Sequence, residues 1–327
     1  MPTGPADSFP AHYELTGDER LKEEAIKYTN RLLPVSDMTD THDLGFMVNC
    51  SYGNANRLAP NDTIKNVVVK TARNLALRFD DRIGCIRSWD FGPWNYPVII
   101  DNMMNLDLLS NATKITGDST FMNIARRHAD TTLKNHFRDD NSCFHVVSYN
   151  SDGSVERRQT FQGKADNSSW SRGQGWALYG YTELYRNTGD KKYLDHAVKV
   201  AAMIMSKNKT KDLIPYWDFD AVESESTPRD ASAAALIASA LLELSGIVDN
   251  GQPYFDYAEK ILKTLASPRY LAEKGTNENF ILMHSTGSLP HASEIDTPLN
   301  YADYYFLEAL VRYKRAFKGE AIVQDMF

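Results

Sequence analysis

The sequence has few cysteines, no excess of positive charge and no long hydrophobic run. Its three cysteines, Cys50, Cys85 and Cys143, lack CxxC spacing, so the sequence indicates neither a zinc site nor a disulfide framework. The net charge of −7 and the absence of a Lys/Arg run argue against nucleic-acid binding, although a locally positive site could still bind an acidic ligand. Residues 1–10 contain no apolar leader segment and no later run could span a bilayer. We therefore expect a soluble chain with no membrane partner, cytoplasmic, or periplasmic if a leader was removed.

A short phrase, Thr-Gly-Asp, recurs along the 327 residues, at 16–18, 116–118 and 188–190. Each copy separates an apolar helical pattern from an amphipathic one. Glycine favours a left-handed helix end, and aspartate favours the N-cap of the next helix. Repeated helical hairpins at a spacing of roughly 45 to 70 residues are typical of a closed or stacked all-α array.

The hairpins can be placed along the chain. First helices are predicted near residues 44–58, 98–115, 170–187, 230–246 and 299–317. Second helices are predicted near residues 18–33, 62–79, 118–136, 190–206 and 252–266. Because the first helices are richer in apolar and small residues, we expect them to form an inner ring, with the more charged second helices outside.

One inner helix looks incomplete in the sequence. Residues 11–15 resemble its last turn, while its remainder has no counterpart. A gap about one helix wide, roughly 10 Å, would expose apolar faces of residues 44–58 and 299–317. We therefore expect the chain to form a homodimer over the gap, to fill it with residues 1–10, or to be less stable than a chain with the helix restored.

The segments between hairpins are expected to gather at one end of the array, and they carry the chemical candidates. His42 and Asp43 open one first helix, and Asp101 follows an apolar run just before another. Each aspartate could be a plain N-cap. However, a carboxylate with the apolar flanks of Asp101 is expensive to bury unless it is paired or protonated. His145, in an extended stretch, and Gln162 complete this group.

Residues 168–176, SSWSRGQGW, place Trp170 and Trp176 on either side of Arg172. Flat aromatic surfaces suit the apolar faces of a sugar ring, and a guanidinium can bind a sugar carboxylate through two hydrogen bonds. Both tryptophans could equally be core residues of a large helical domain. Together with the inter-hairpin candidates, the segment suggests acid–base chemistry on a carbohydrate. No Gly-rich phosphate loop, GxSxG elbow or HExxH helix competes with that interpretation.

At four motifs the chain resembles the unsaturated glucuronyl hydrolases of glycoside hydrolase family 88. In family order they are HDLGF at 42–46, IDNMMN at 100–105, WSRGQGW at 170–176 and YADYY at 301–305. The resemblance runs from about residue 11 to 317. It implies an all-α fold, an (α/α)6 barrel of helical hairpins that forms a single catalytic domain over residues 1–327, here with its first inner helix truncated.

A sister family is the second candidate. The unsaturated rhamnogalacturonyl hydrolases share the fold, but they typically have Asn at the position of Gln174 and lack the pair His42-Asp43. A catalytically silent carbohydrate-binding barrel is the alternative from another class. The presence of both aspartates, Asp43 and Asp101, weakens it.

The resemblance also implies a reaction. The substrate is a Δ4,5-unsaturated glucuronic acid at the non-reducing end of an oligosaccharide left by a polysaccharide lyase. Asp101 matches the general acid/base that protonates C4 of the vinyl ether and then deprotonates the water that adds at C5. Asp43 matches the second essential carboxylate. The residues that match sugar contacts are His42, Trp89, His145, Gln162, Trp170, Arg172 and Trp176. No metal or cofactor is implied.

Overall fold

Helices make up most of the chain. The computed structural model describes residues 5–327. The α-helices of this part are α1 (Pro5–Thr16), α2 (Glu19–Arg31), α3 (Leu44–Val48), α4 (Asn54–Leu58), α5 (Asp62–Ala76), α6 (Leu106–Thr116), α7 (Ser119–Asn135), α8 (Ser171–Thr188), α9 (Lys191–Lys207), α10 (Ala231–Ser245), α11 (Gln252–Leu265) and α12 (Asn300–Phe317). A π-helix, Asn49–Gly53, continues α3 into α4. Shorter 3-10 helices cover Leu33–Asp37, Ile100–Asn105, Asn277–Asn279 and Leu289–His291.

The predicted hairpins are present, with a difference in helix type in two of the first helices. The one at 44–58 has the π-helix Asn49–Gly53 at its centre. The predicted first helix at 98–115 begins instead as a strand, continues as the 3-10 helix Ile100–Asn105, and becomes α-helical only at Leu106. The reason is that residues 97–99 are paired in a sheet, which holds the backbone extended until the chain turns. The other helices start and end within a few residues of the predicted positions.

The Thr-Gly-Asp turns form as predicted. At the second copy, Gly117 ends α6 with a φ of 74°, and the Asp118 side chain accepts a hydrogen bond from the backbone N–H of Thr120 at 2.9 Å. The turns at 16–18 and 188–190 have the same left-handed glycine and the same side-chain cap. These turns use only groups that are close in sequence, which is why the sequence identifies them.

Short strands occupy the segments between hairpins. They are β1 (Phe79–Asp80), β2 (Cys85–Ile86), β3 (Pro97–Ile99), β4 (Val146–Tyr149), β5 (Val155–Gln159), β6 (Ser285–Ser288) and β7 (Ser293–Thr297). Strands β1 and β2 pair, β4 lies between β3 and β5, and β6 pairs with β7. In the second sheet Val98 lies opposite Val147.

The chain divides into two compact units. The first comprises the chain up to Phe137, with Val146–Arg158 and Gln324–Phe327; the second comprises Arg138–His145 and Gln159–Val323. In the second unit, α8 and α10 are buried along most of their length, and α10 packs against both α8 and α12. Helix α11 buries only one face. This difference in burial is what the composition predicts for inner and outer helices.

Residues 11–15, predicted to be the last turn of a helix, lie in the twelve-residue helix α1, which packs against α2. The first four residues of the segment 1–10 lie outside the described residues. Over the range 5–327, no helix combines the length and the apolar character needed to cross a bilayer. Within the same range, no three His, Cys, Asp or Glu side chains are grouped as metal ligands would be.

Candidate functional site

His42 and Asp43 lie side by side where α3 begins. The His42 side chain is buried, and its Nε2 lies 3.4 Å from Oδ1 of Asp43, whose side chain is 31% exposed. Burial lowers the pKa of His42, and the negative charges of Asp43 and Asp101 oppose that shift without cancelling it. Both predicted carboxylates therefore act on one imidazole, which is neutral at neutral pH.

Asp101 lies in the 3-10 helix that follows β3 and is almost completely buried. Its neighbour Asn102 anchors this turn, because its side-chain amide donates to the carbonyl of Ile86 at 2.9 Å. The N–H of Ile86 in turn donates to Nδ1 of His128 at 3.0 Å. Burial lowers the pKa of His128 to about 3, so its ring nitrogen remains an acceptor over the physiological pH range. The turn carrying Asp101 is thus fastened to β2 and, through it, to α7.

Neither predicted aspartate acts as a helix cap. Asp43 occupies the N-cap position of α3 but makes no capping hydrogen bond with its side chain. The N-cap position of the 3-10 helix belongs to Ile99, and Asp101 lies in the first turn beyond it. Since capping was the competing explanation for both residues, the geometry favours a role in a site over a role in helix termination.

Trp89 lies in the same unit within a separate cluster of aromatic rings. It stacks on Phe91 with 5.1 Å between ring centroids and meets Trp94 at 5.4 Å. Arg78 holds this loop in place, because its guanidinium donates to Asp90 at 2.9 Å and to the carbonyl of Thr39 at 3.1 Å. Phe91 is 56% exposed, so the cluster presents an aromatic face to solvent.

The second unit brings His145, Gln162 and Trp170 together. Nδ1 of His145 accepts hydrogen bonds from the backbone N–H groups of Phe161 and Gln162, both at 3.1 Å. The His145 ring also lies against the Trp170 ring, with 4.5 Å between centroids. The Gln162 side chain donates to the carbonyl of Gly287 in β6 at 3.1 Å. An acceptor at Nδ1 places the imidazole proton on Nε2 in the neutral form.

Arg172 is fully buried and directs its guanidinium at other protein groups. Nη1 donates to Asp230 at 2.6 Å and to the carbonyl of Thr286 at 2.7 Å, while Nη2 donates to the carbonyl of Gly287 at 2.7 Å. The guanidinium also lies over the Trp170 ring, 4.6 Å from its centroid. The sequence suggested an open two-pronged donor for a sugar carboxylate. In the structure both prongs bind the protein, and Arg172 braces β6 and Trp170.

Trp176 and Gln174 lie in the interior of α8. Trp176 is fully buried and meets Tyr305 edge to face, with 5.4 Å between ring centroids. The side chain of Gln174 accepts from the N–H of Cys143 at 2.8 Å and donates to the carbonyl of the same residue at 3.2 Å. It thereby ties the segment that carries His145 to α8.

Sequence reasoning missed two residues of these clusters. Asp230 precedes an alanine-rich helix and so has the pattern of an ordinary N-cap; nothing near it in sequence indicates that it pairs with Arg172. Asn105 accepts a hydrogen bond from the N–H of Phe46 at 2.9 Å. Its only signal was its place in the motif at 100–105.

Known proteins resemble this chain over most of its length. The family model described as Glycosyl Hydrolase Family 88 matches residues 8–313. An unsaturated glucuronyl hydrolase from Formosa agariphila is 48% identical over 305 residues, which cover 92% of this chain and 76% of that protein. An unsaturated glucuronyl hydrolase from Bacillus sp. strain GL1 is 31% identical, over 94% of this chain and 84% of that protein.

A solved structure agrees with these matches. An unsaturated glucuronyl hydrolase specific for heparin aligns with a TM-score of 0.94 and 51% identity, covering 98% of this chain and 86% of the other. The likeness confirms the predicted α/α-barrel fold class. Because the family model spans nearly all of the sequence and the curated relatives agree with it, this chain belongs to family 88 of the glycosyl hydrolases.

Proposed function

We propose that this chain hydrolyses lyase-generated oligosaccharides and removes the Δ4,5-unsaturated glucuronic acid residue from their non-reducing end. Membership of family 88 supports the proposal, as do relatives named unsaturated glucuronyl hydrolases. The observation that carries it is the pair of carboxylates, Asp43 and Asp101, that act on the buried imidazole of His42 while neither caps a helix. The presence of the His42-Asp43 pair also argues against the sister rhamnogalacturonyl hydrolases.

Asp101 acts first as acid and then as base. Its carboxyl group delivers a proton to C4, and the π electrons of the C4=C5 bond form the new C–H bond. The ring oxygen stabilises the cation left at C5, and water adds there as Asp101 takes back a proton. The resulting hemiketal opens and releases the aglycone. This route differs from the usual attack at the anomeric carbon, for which two carboxylates flank the glycosidic bond.

Asp43 supplies charge rather than a proton. Its carboxylate lies beside the imidazole of His42, with 3.4 Å between Oδ1 and Nε2, and adds a negative charge there. We expect Asp43→Asn to lower kcat. We also expect the pH–rate profile of the variant to shift, because a negative charge has been removed from the proposed site. A pH–rate profile of both proteins checks this, and an unchanged profile with full activity would leave Asp43 without a chemical role.

The sugar-binding residues contribute in two ways. We propose that His42, Trp89, His145, Gln162 and Trp170 contact the sugar. Arg172 and Trp176 support these residues without contacting the sugar. Arg172 holds Trp170 and β6 in place, and Trp176 packs in the core. The chain acts as a single catalytic domain, a proposal supported by one family match that runs through both compact units. The homodimer stays a prediction, which the mass of the protein in solution tests.

The deciding experiment follows the ultraviolet absorbance of the conjugated double bond. The enzyme is incubated with a panel of unsaturated disaccharides made by lyases from glycosaminoglycans, ulvan, gellan and xanthan, and with an unsaturated rhamnogalacturonan disaccharide. Heparin disaccharides belong in the panel, because the aligned neighbour is specific for heparin. We expect the absorbance to disappear for at least one glucuronyl member. Binding without any loss of absorbance would instead make the protein a carbohydrate-binding barrel.

A further inference from the structure

The start of helix α3 is not capped by the side chain of its own N-cap residue. The first N–H groups of a helix lack partners within it, and a side chain at the N-cap usually supplies one. Asp43 stands at that position and makes no such bond. The N–H of Phe46 donates instead to Oδ1 of Asn105, which lies 59 residues further along the chain and is fully buried.

The two segments also touch through their backbones. A Cβ atom added to Gly45 would lie 2.5 Å from Cα and 2.8 Å from Oδ1 of Asn105. Contacts that short do not occur, and here they involve backbone, which cannot swing aside. Glycine is therefore required at position 45 for α3 to approach the end of the 3-10 helix closely enough for the Asn105 bond.

This contact joins the two segments that carry the carboxylates. Asp43 stands at the start of α3, and Asp101 lies in the 3-10 helix that ends at Asn105. A carboxylate at an N-cap would ordinarily turn toward the exposed N–H groups of its helix. Because Asn105 already serves the N–H of Phe46, the Asp43 side chain can turn toward His42.

We propose that Asn105 is a positioning residue that caps α3 in place of Asp43 and so holds the two carboxylates in their working geometry. In this proposal Asn105 acts through Asp43 and not on the substrate itself. The inference rests on the proposed function, since it presupposes that Asp43 and Asp101 act on the substrate.

The chain contains a matched control. Asn111 is also a buried asparagine, six residues further along the chain in α6, and its amide donates to Asn49 at 3.4 Å and to Asp107 at 3.3 Å. It ties the same pair of helical segments together at a place away from Asp43 and Asp101. Asn111→Ala therefore reports what a purely structural loss does.

The first test compares Asn105→Ala with Asn111→Ala. Asn105→Ala loses one buried hydrogen bond and Asn111→Ala loses two, so the melting temperature falls in both. In Asn105→Ala we expect kcat to fall by about 10- to 100-fold, the scale of a misplaced catalytic group, with KM nearly unchanged. The pH–rate profile should move in the same direction as that of Asp43→Asn. Asn111→Ala should keep the kcat and the pH profile of the wild type. Equal kcat values in the two alanine variants would overturn the inference.

A second variant keeps the test decisive if Asn105→Ala folds poorly. Asn105→Asp retains an oxygen that can accept from Phe46. Nδ2 of Asn105 has no hydrogen-bond partner among residues 5–327, so this change removes no donor bond. We expect Asn105→Asp to recover most of the lost kcat when each variant is measured at its own optimum pH. If circular dichroism shows that this variant is folded and its kcat is still no higher than that of Asn105→Ala, the capping role is contradicted.

The double variant Asn105→Ala/Asp43→Asn separates the two proposals. If Asn105 acts through Asp43, the double variant should lose little more than Asp43→Asn alone, whereas independent effects multiply. Multiplied losses overturn the inference while leaving the proposed function intact. An Asp43→Asn enzyme with full activity overturns the proposed role of Asp43, and the inference falls with it.

Discussion

Aspartates stand at the start of both kinds of helix in this chain, and they behave differently. At the second helices of the hairpins, Asp18, Asp118 and Asp190 each bind a backbone N–H two residues further along. At the first helices, Asp43 and Asp303 make no cap, and their side chains serve other groups. Asp43 faces His42, while Asp303 binds the backbone of a distant loop.

The difference reflects what surrounds each helix start. The capping aspartates lie in tight turns, where each binds an N–H group of the helix that follows it. The first helices start beside the long inter-hairpin segments, which offer other partners. Asp230 belongs to both groups, because one oxygen accepts from the N–H of Ser232 and the other binds Arg172. An aspartate at the start of a helix therefore points to a role other than capping when its side chain makes no hydrogen bond to the N–H groups of that helix.

The largest expected effect comes from an aspartate that does not cap. Asp101→Asn keeps the shape of the side chain but cannot deliver a proton, so we expect kcat to fall by at least about 10²- to 10⁴-fold. The melting temperature and the affinity for the disaccharide should change little. Kinetics and calorimetry on the same preparation measure these quantities. Retention of more than about a tenth of the wild-type rate would remove Asp101 from the acid–base role.

A variant of Asp230 tests the aspartate that both caps a helix and pairs with Arg172. Asp230→Asn preserves an oxygen for the cap but leaves the guanidinium of Arg172 buried without its counter-ion. Breaking one side of a buried ion pair costs about 3 to 5 kcal/mol of folding free energy. Urea unfolding measures the loss, and KM should rise because Arg172 braces Trp170 and β6. A loss below about 1 kcal/mol would mean that the carbonyls of Thr286 and Gly287 suffice to hold the charge.

The contribution of Asp303 to the stability of the protein depends on pH. Its carboxylate accepts from the N–H groups of Ile281 at 2.8 Å and Leu282 at 2.9 Å. Burial raises its pKa from 3.8 to about 6, and these two hydrogen bonds oppose the rise only in part. Between those values the folded protein binds more protons than the unfolded chain, so the contribution of Asp303 to stability decreases as the pH rises from about 4 to about 6.

The variant Asp303→Asn removes that titration. The free energy of unfolding of the wild type, measured relative to the variant, should fall by up to about 3 kcal/mol as the pH rises through this window. Chemical denaturation at several pH values gives the difference directly. A difference that does not depend on pH would show that Asp303 titrates alike in the folded and unfolded protein.

The smallest effect belongs to an aspartate that only caps. Asp118→Ala removes the bond to the N–H of Thr120 and should lower the free energy of unfolding by about 1 kcal/mol. Values of kcat and KM should stay within experimental error of the wild type. A clear kinetic change in this variant would break the distinction between the two groups of aspartates.

Much of the fold followed from local patterns. The three Thr-Gly-Asp turns, the apolar first helices and the one-sided second helices each depend on residues close in sequence, so the pattern predicted them closely. The 3-10 helix at Ile100–Asn105 did not follow, because the pairing of β3 with β4 holds the preceding residues extended. The motifs named the candidate site residues, but they did not predict how the side chains of those residues are oriented.

The sequence by itself determined where most of the helices begin and end, because helix caps, glycine turns and apolar periodicity act over a few residues, and its motifs named the candidate site residues. Only the tertiary structure decided what those residues do there. Asp43 is not a cap because Asn105, 59 residues away, binds the N–H of Phe46. Arg172 does not present an open fork because Asp230, 58 residues away, pairs with it. A hydrogen-bonding group can bind only a few partners at once. Which partners it binds depends on how distant segments of the chain pack around it.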